Sequence, residues 1–168
     1  QCCYQIGLAG FRAVPLYMEM YSSIYSVRRD PQKYVDVVRE LEQAMEKLRS
    51  ELPDCLRVEK CQPTDLVFAL YTQAICLEFK LCLRHPSVCL EKDKKFCAEN
   101  TRICEETARE LLKVLGQLLK LKSLDTTWYQ LSVYVASVLS ILVANWERRH
   151  EITRAEIVTL RADMALGL

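Results

Sequence analysis

Glycine and proline are scarce in this chain, and their scarcity constrains the fold more than any other feature of the sequence. The 168 residues include four glycines and five prolines. β-sandwiches and β-barrels need a turn about every ten residues, and these two residue types build most such turns. The chain is also 51% hydrophobic, which is too apolar for a disordered protein. We therefore predict a single all-α domain over residues 1–168, a multi-helix orthogonal or bundle-like array of about six helices.

Hydrophobic periodicity and helix-start signals predict the positions of the helices. Asp30-Pro31 is typical of an N-cap followed by the first helical position, and Thr153 and Glu156 have the spacing of a capping box. Two helices, about 64–84 and 127–147, are apolar on most faces, and we predict that both are largely buried. Without flanking helices to cover them, they would expose apolar patches that promote association. The predicted helices span about 13–28, 31–52, 64–84, 92–122, 127–147 and 153–168.

The charge balance is close to neutral. There are 23 basic and 22 acidic residues, and no long basic run. Nucleic-acid-binding surfaces usually carry a concentrated basic patch, so we do not expect this chain to bind DNA by itself. Because the sequence starts at Gln1 and stops within a helical pattern at Leu168, we expect it to be a piece of a longer protein.

The segment from Thr126 to Trp146 has the outline of a membrane-spanning helix. It contains no charged residue, and it has aromatic residues at both ends and basic residues beyond them. Polar residues such as Gln130 and Asn145 are spread along it, however, which favours a buried core helix. A membrane-associated helical protein built around Trp128–Trp146 is the alternative, and the preferred interpretation involves no membrane.

The nine cysteines do not form a recognisable metal or redox motif. No pair has the Cys-x-x-Cys spacing, and there are only two histidines, His85 and His150. Most of the cysteines lie among apolar residues at helical positions, so we expect them to pack as small hydrophobic side chains in a reducing compartment. No metal site is predicted. A helical-bundle enzyme or metal protein that uses the cysteines or His85 is a further alternative.

The sequence also lacks the usual catalytic motifs. Four glycines cannot build a phosphate-binding loop, and neither a Gly-x-Ser-x-Gly nor a His-Glu-x-x-His motif occurs. The acidic residues Glu105, Glu106 and Glu110 share a helix with Arg102 and Arg109, at spacings typical of solvated ion pairs. We therefore predict that the chain is not an enzyme, with no catalytic residue and no cofactor.

Four side chains are candidate contacts for a ligand or a partner. Arg84 and His85 follow the buried third helix, where a cation near the helix C-terminus complements the helix dipole. That structural role accounts for Arg84, and a contact with a small molecule or a partner is the functional alternative. The other two candidates are the aromatic residues Trp128 and Tyr129.

Four short segments occur in a fixed order in the second half of the chain. They are Leu81-Cys82-Leu83-Arg84-His85-Pro86-Ser87-Val88, Cys97-Ala98-Glu99-Asn100, Leu121-Lys122-Ser123-Leu124-Asp125-Thr126-Thr127-Trp128-Tyr129-Gln130 and Trp146-Glu147-Arg148-Arg149. This ordered series resembles the fungal-specific transcription factor domain, often called the middle homology region. One departure is the order Arg84-His85-Pro86, where that family commonly has His-Arg-Pro. The resemblance covers residues 60–168 well and the first two helices more weakly.

The resemblance implies a non-enzymatic regulatory domain of a nuclear transcription factor. Such a domain would respond to a small-molecule inducer or contact transcriptional co-regulators, through a ligand or partner that biases the packing of its helices. Zinc and DNA would be bound only by the zinc-cluster domain, whose six closely spaced cysteines are missing from this sequence. A homodimer is compatible with this interpretation.

Overall fold

Six α-helices make up most of the computed structural model, which describes residues 2–88 and 94–166 and contains no β-strand within them. The all-α prediction is therefore confirmed. Cys89, the predicted start of the fourth helix at residue 92, and the chain end Gly167-Leu168 lie outside the described residues. The helices are α1 Cys2–Met20, α2 Tyr34–Ser50, α3 Leu66–Leu83, α4 Lys94–Lys120, α5 Trp128–Glu147 and α6 Arg154–Leu166.

Two of the predicted helix starts are visible as hydrogen bonds. The Asp30 carboxylate accepts from the backbone N–H of Gln32 at 3.0 Å, just ahead of a short 3-10 turn that leads into α2. At the start of α6, Thr153 N–H donates to the Glu156 carboxylate at 2.7 Å, and Glu156 N–H donates to the Thr153 hydroxyl at 3.3 Å. This reciprocal pair is the capping box, and it satisfies two N–H groups that the helix leaves free.

The first helix begins eleven residues earlier than the predicted position 13. α1 starts at Cys2, and Pro15 lies inside it. Proline has no N–H to donate to the carbonyl four residues earlier, here that of Phe11. Both residues are exposed, so water can satisfy that carbonyl, and the helix continues. It then passes into a π-helical turn over Tyr21–Tyr25.

The centre of the fold is the pair α3 and α4. No residue of α3 is exposed, which confirms the predicted burial of the third helix. One hydrophobic cluster joins α1 and α2 to the side of α3 that carries Phe79 and Leu83, and a second joins α3 and α4 to α5 and α6. The second cluster includes Leu111, Leu112 and Ile141, all almost fully buried. Burying each such side chain contributes about 1.5–3 kcal/mol.

The fifth helix forms as predicted, but the expectation that it is largely buried is wrong. α5 packs mainly on α4 through one face, which includes Val133, Ser137 and Ile141. Its opposite face is open to solvent, with Trp128 79% and Trp146 68% exposed. A hydrophobic helix is buried on all sides only when neighbours surround it, and the described residues supply helices on one side only.

Six of the described cysteines are reduced thiols: Cys55, Cys61, Cys76, Cys82, Cys97 and Cys104. Cys104 is the one among these six that is fully buried. Burial raises the pKa of Cys76 to about 11 and that of Cys82 to about 12. Both thiols are therefore neutral at pH 7 and weakly nucleophilic. Core packing, the role predicted for the cysteines, fits Cys104 fully and the half-buried thiols in part.

Candidate functional site

Arg84 lies in a buried polar cluster that joins three helices. Its guanidinium contacts the Glu42 carboxylate of α2 at 2.5 Å and donates to the side-chain oxygen of Asn100 in α4 at 2.9 Å. The amide of Asn100 in turn donates to the Tyr34 hydroxyl at 3.2 Å, and the Phe96 ring lies 5.4 Å from the guanidinium carbon. The side chain is therefore engaged by α2 and α4 inside the fold, a structural role other than the helix-dipole interaction predicted for it.

His85 lines a cavity between α4, α5 and the turn that follows α3. We call this cavity of about 580 Å³ the His85 pocket. Its walls are mostly apolar, and no charged side chain of the described residues lines it. The lining residues are His85, Pro86, Ser87, Thr101, Cys104, Ala136, Leu139, Ser140, Val143 and Ala144.

Hydrogen bonds to Ser87 fix the protonation of His85. The backbone N–H of Ser87 donates to Nδ1 at 3.2 Å, and the Ser87 hydroxyl lies 2.7 Å from the same nitrogen. A backbone N–H can only donate, so Nδ1 is an acceptor and the imidazole proton is on Nε2. Burial lowers the pKa of His85, which keeps the ring neutral at pH 7. Nε2–H has no hydrogen-bond partner within residues 2–88 and 94–166, and is available to a ligand acceptor.

The remaining polar groups of the pocket are neutral as well. The Ser140 hydroxyl donates to the carbonyl of Ala136 at 2.8 Å. Burial raises the pKa of the Cys104 thiol, and its contact with the Ser140 side chain offsets only part of that rise. The pocket therefore offers one imidazole N–H, several hydroxyls and a protonated thiol in an apolar enclosure. This set of groups suits the binding of a neutral, largely apolar molecule.

Trp128 and Tyr129 are at the start of α5, on a different part of the surface from the His85 pocket. The Tyr129 hydroxyl donates to the carboxyl group of Glu78 in α3. Burial raises the pKa of Glu78, and the hydrogen bond from Tyr129 opposes that rise. Trp128 packs edge-on against the Tyr129 ring, with centroids 6.4 Å apart, and is otherwise exposed.

A second buried polar cluster, centred on Glu105, joins α4, α5 and α6. The Glu105 carboxylate accepts from Arg109 at 2.9 Å, from Asn145 at 3.0 Å and from Arg148 at 3.1 Å. Arg109 also pairs with Asp163 of α6. The prediction of solvated ion pairs is therefore wrong for Glu105, because α5 and α6 cover this part of α4.

The exposed pair on the same helix behaves as predicted. Arg102 and Glu106 form an ion pair across one turn, 2.7 Å apart. Both side chains are more than half exposed, so the pair contributes little to stability.

The structure does not bring the four candidate residues into one site. Arg84 and His85 are neighbours in sequence, but Arg84 contacts α2 while His85 faces α5. Trp128 and Tyr129 are at the opposite end of α5 from the pocket residues Val143 and Ala144. The sequence analysis does not predict the His85 pocket, although the sequence contains a signal for it. The small residues Ala136, Ser140 and Ala144 recur every four positions and face Thr101 and Cys104, which leaves the helices room for a cavity.

Two features of the structure bear on the membrane and metal-protein alternatives. Two helical segments, Pro63–Leu83 and Trp128–Trp146, are long and apolar enough to cross a membrane. In the most apolar 18-residue stretch of each segment, 44% and 33% respectively is buried inside the fold. α3 lies in the core of the fold with no exposed residue, whereas the outer face of α5 is exposed. Among the described residues, no group of three or more His, Cys, Asp or Glu side chains is placed to hold a metal ion.

Comparison with known proteins identifies no relative. No protein-family model, no curated protein and no solved structure matches this chain.

Proposed function

We propose that this chain is a non-enzymatic, effector-sensing regulatory domain of the kind that fungal zinc-cluster transcription factors carry, and that the His85 pocket receives the effector. The observation that carries the proposal is the pocket. Its volume of about 580 Å³ falls in the usual range for small-molecule sites, about 300–1,000 Å³. Its apolar walls and the single free donor on His85 are also typical of such sites.

The position of the pocket supports a regulatory role. A molecule bound there would contact the turn after α3 together with α4 and α5, so its affinity would depend on how these elements pack. A ligand shifts a conformational equilibrium by as much as it prefers one state. The Glu105 cluster connects α4 and α5 to α6, and a shift of α5 would therefore extend to the C-terminal helix.

The wider setting follows from the resemblance to the fungal family. In that setting the full-length protein acts in the nucleus, contacts transcriptional co-regulators, and binds DNA through a zinc-cluster domain outside this sequence. Sequencing the complete reading frame tests this part directly. We expect a zinc cluster of six closely spaced cysteines upstream, and a frame without one would contradict the assignment.

The pocket can be tested with a neutral fluorescent probe. N-phenyl-1-naphthylamine should bind with increased fluorescence. It should bind about tenfold more tightly than the anionic 1-anilinonaphthalene-8-sulfonate, because no cationic side chain among the described residues lines the pocket to pair with a sulfonate. Ala136→Phe fills the pocket and should abolish the high-affinity binding of the probe. Leu119→Phe adds a ring to an exposed position of α4 outside the pocket and should leave that binding intact.

Regulation can be tested with the same variants. The chain is fused between a heterologous DNA-binding module and an activation domain, and reporter output is measured in fungal cells. Ala136→Phe should change the output, whereas Leu119→Phe should match the unmodified chain. Equal output from all three fusions would contradict the sensing role, and equal probe binding would contradict the ligand site.

The exposed face of α5 favours a second candidate, a membrane-associated helical protein. A helix with an apolar outer face and a tryptophan at each end can lie in a bilayer interface, where tryptophan is enriched. Co-sedimentation with phosphatidylcholine vesicles tests this. We expect the chain to stay in the supernatant, and vesicle binding lost on Trp128→Ser would support the membrane candidate instead.

A further inference from the structure

The exposed face of α5 carries a regular stripe of five apolar residues and one serine. Its members are separated by four and three residues in alternation, which is the heptad spacing of a helix that packs along another helix. All are exposed, and with about 3.6 residues per turn they lie on the face opposite the one that packs on α4. We call this set the α5 stripe: Trp128, Ser132, Val135, Leu139, Leu142 and Trp146.

The α5 stripe is too large for an isolated surface. From the usual surface areas of these side-chain types, the stripe with its neighbours Leu131 and Val143 exposes on the order of 800 Å². The largest apolar patch on a typical monomer is about 300–600 Å². A standard protein–protein interface buries about 800 Å² per partner. The exposed area therefore equals one half of such an interface.

We propose that a second copy of this chain covers the α5 stripe, so that two α5 helices pack antiparallel about a twofold axis that crosses the stripe midway between Val135 and Leu139. The alternation of four- and three-residue spacings reads the same from either end of the α5 stripe. The twofold axis therefore sets Val135 against Leu139 of the second copy, and the smaller Ser132 against its longer Leu142. At each end Trp128 meets Trp146. These are the a-against-d layers that antiparallel helix pairs form.

Charge and geometry agree with a copy as the occupant. Residues 128–146 contain no charged side chain, so two copies of the α5 stripe meet without like-charge repulsion. Because α4 packs on the opposite face of α5, the bulk of each protomer lies on the far side from its partner. The outer surface of α1 is also partly apolar, but the exposed Arg12 and Glu19 interrupt it. The inference does not rest on the proposed effector pocket, although Leu139 belongs to both surfaces.

The test introduces opposite charges at two positions that face each other across the twofold axis. By sedimentation velocity between about 1 and 100 µM, the wild-type chain should be dimeric at the upper end. Val135→Lys and Leu139→Glu should each raise the dimer Kd by about 30-fold or more. In either variant, both copies would bury a charged side chain without a partner in the interface between the two α5 stripes. An equimolar mixture of the two variants should recover a dimer, since the lysine of one faces the glutamate of the other.

Matched variants on α1 provide the controls. Val14→Lys and Leu8→Glu change side chains of similar exposure, 48% and 46% against 55% for Val135 and 52% for Leu139. Both should leave the dimer unchanged, and circular dichroism confirms that every variant is folded. Three results would overturn the proposal: a wild-type chain that is monomeric at 100 µM, α5 variants that remain dimeric, or a mixture that remains monomeric. Vesicle binding by the α5 stripe of a monomeric chain would also overturn it, in favour of a membrane surface.

Discussion

Removing the Arg84 guanidinium should destabilise the fold without touching the His85 pocket. In Arg84→Met the buried side-chain oxygen of Asn100 loses its donor, which costs about 1–3 kcal/mol. The Glu42 carboxylate also loses its cation. Breaking a fully buried pair costs about 3–5 kcal/mol, but Glu42 is one-third exposed and stays partly solvated, which reduces its share to about 1 kcal/mol. We expect a total loss of about 3 kcal/mol.

Chemical unfolding measures this loss directly. Urea titrations followed by circular dichroism give the free energy of unfolding of the wild type, of Arg84→Met and of Glu42→Gln, and Tm should fall by about 6–12 °C in Arg84→Met. Arg84→Lys keeps the charge but cannot reach both partners, so its loss should be about half as large. The double variant Arg84→Met/Glu42→Gln should lose less stability than the sum of the losses in the two single variants, because the residues share one interaction.

Two results would refute the structural interpretation of Arg84. The first is a loss below about 1 kcal/mol in Arg84→Met, which would mean that the cluster does not hold α2, α3 and α4 together. The second is a stable, folded Arg84→Met chain that no longer binds N-phenyl-1-naphthylamine. That outcome would make Arg84 a ligand contact, the functional alternative that the sequence left open.

Three further predictions concern the core, a buried carboxyl and a helix cap. Leu111→Ala should cost about 3–5 kcal/mol in urea unfolding, whereas Leu119→Ala, on the exposed side of α4, should cost less than about 0.5 kcal/mol. Because the pKa of Glu78 is raised in the fold, the folded state keeps the Glu78 proton to a higher pH than the unfolded chain does. The free energy of unfolding therefore falls as pH rises from 4.5, the unfolded pKa, through the folded pKa. Glu78→Gln should therefore stabilise the chain more at pH 7 than at pH 4 in paired urea titrations. Thr153→Ala removes the α6 capping box and should cost about 1 kcal/mol, against little for Thr159→Ala within the helix, in thermal melts of both variants.

Local signals in the sequence predict most of the helices. Asp30 before Pro31, and Thr153 three residues before Glu156, mark helix starts through hydrogen bonds that form within a few residues. The start of α1 is harder to predict, because Pro15 usually ends a helix. Solvent at its exposed position removes most of that cost, and exposure is a property of the fold.

Burial and pairing depend on contacts that no local pattern contains. The apolar composition of α5 is the same whether neighbours cover one face or all of them. The spacing of Glu105 and Arg109 is likewise typical of a surface pair, and only the packing of Asn145 and Arg148 against Glu105 buries it. The His85 pocket has the same origin, since small side chains on α5 leave a cavity only when α4 lies opposite them.

Leu139 and Val143 belong to two surfaces at once, which makes those surfaces thermodynamically dependent on each other. Both residues line the His85 pocket, and both are exposed at or beside the α5 stripe. A second copy packed on α5 would narrow the mouth of the pocket and slow the exchange of a bound molecule. By reciprocity, any factor by which dimerisation tightens ligand binding is the factor by which the ligand tightens the dimer. Effector concentration and protein concentration would then act as interchangeable inputs to the same assembly.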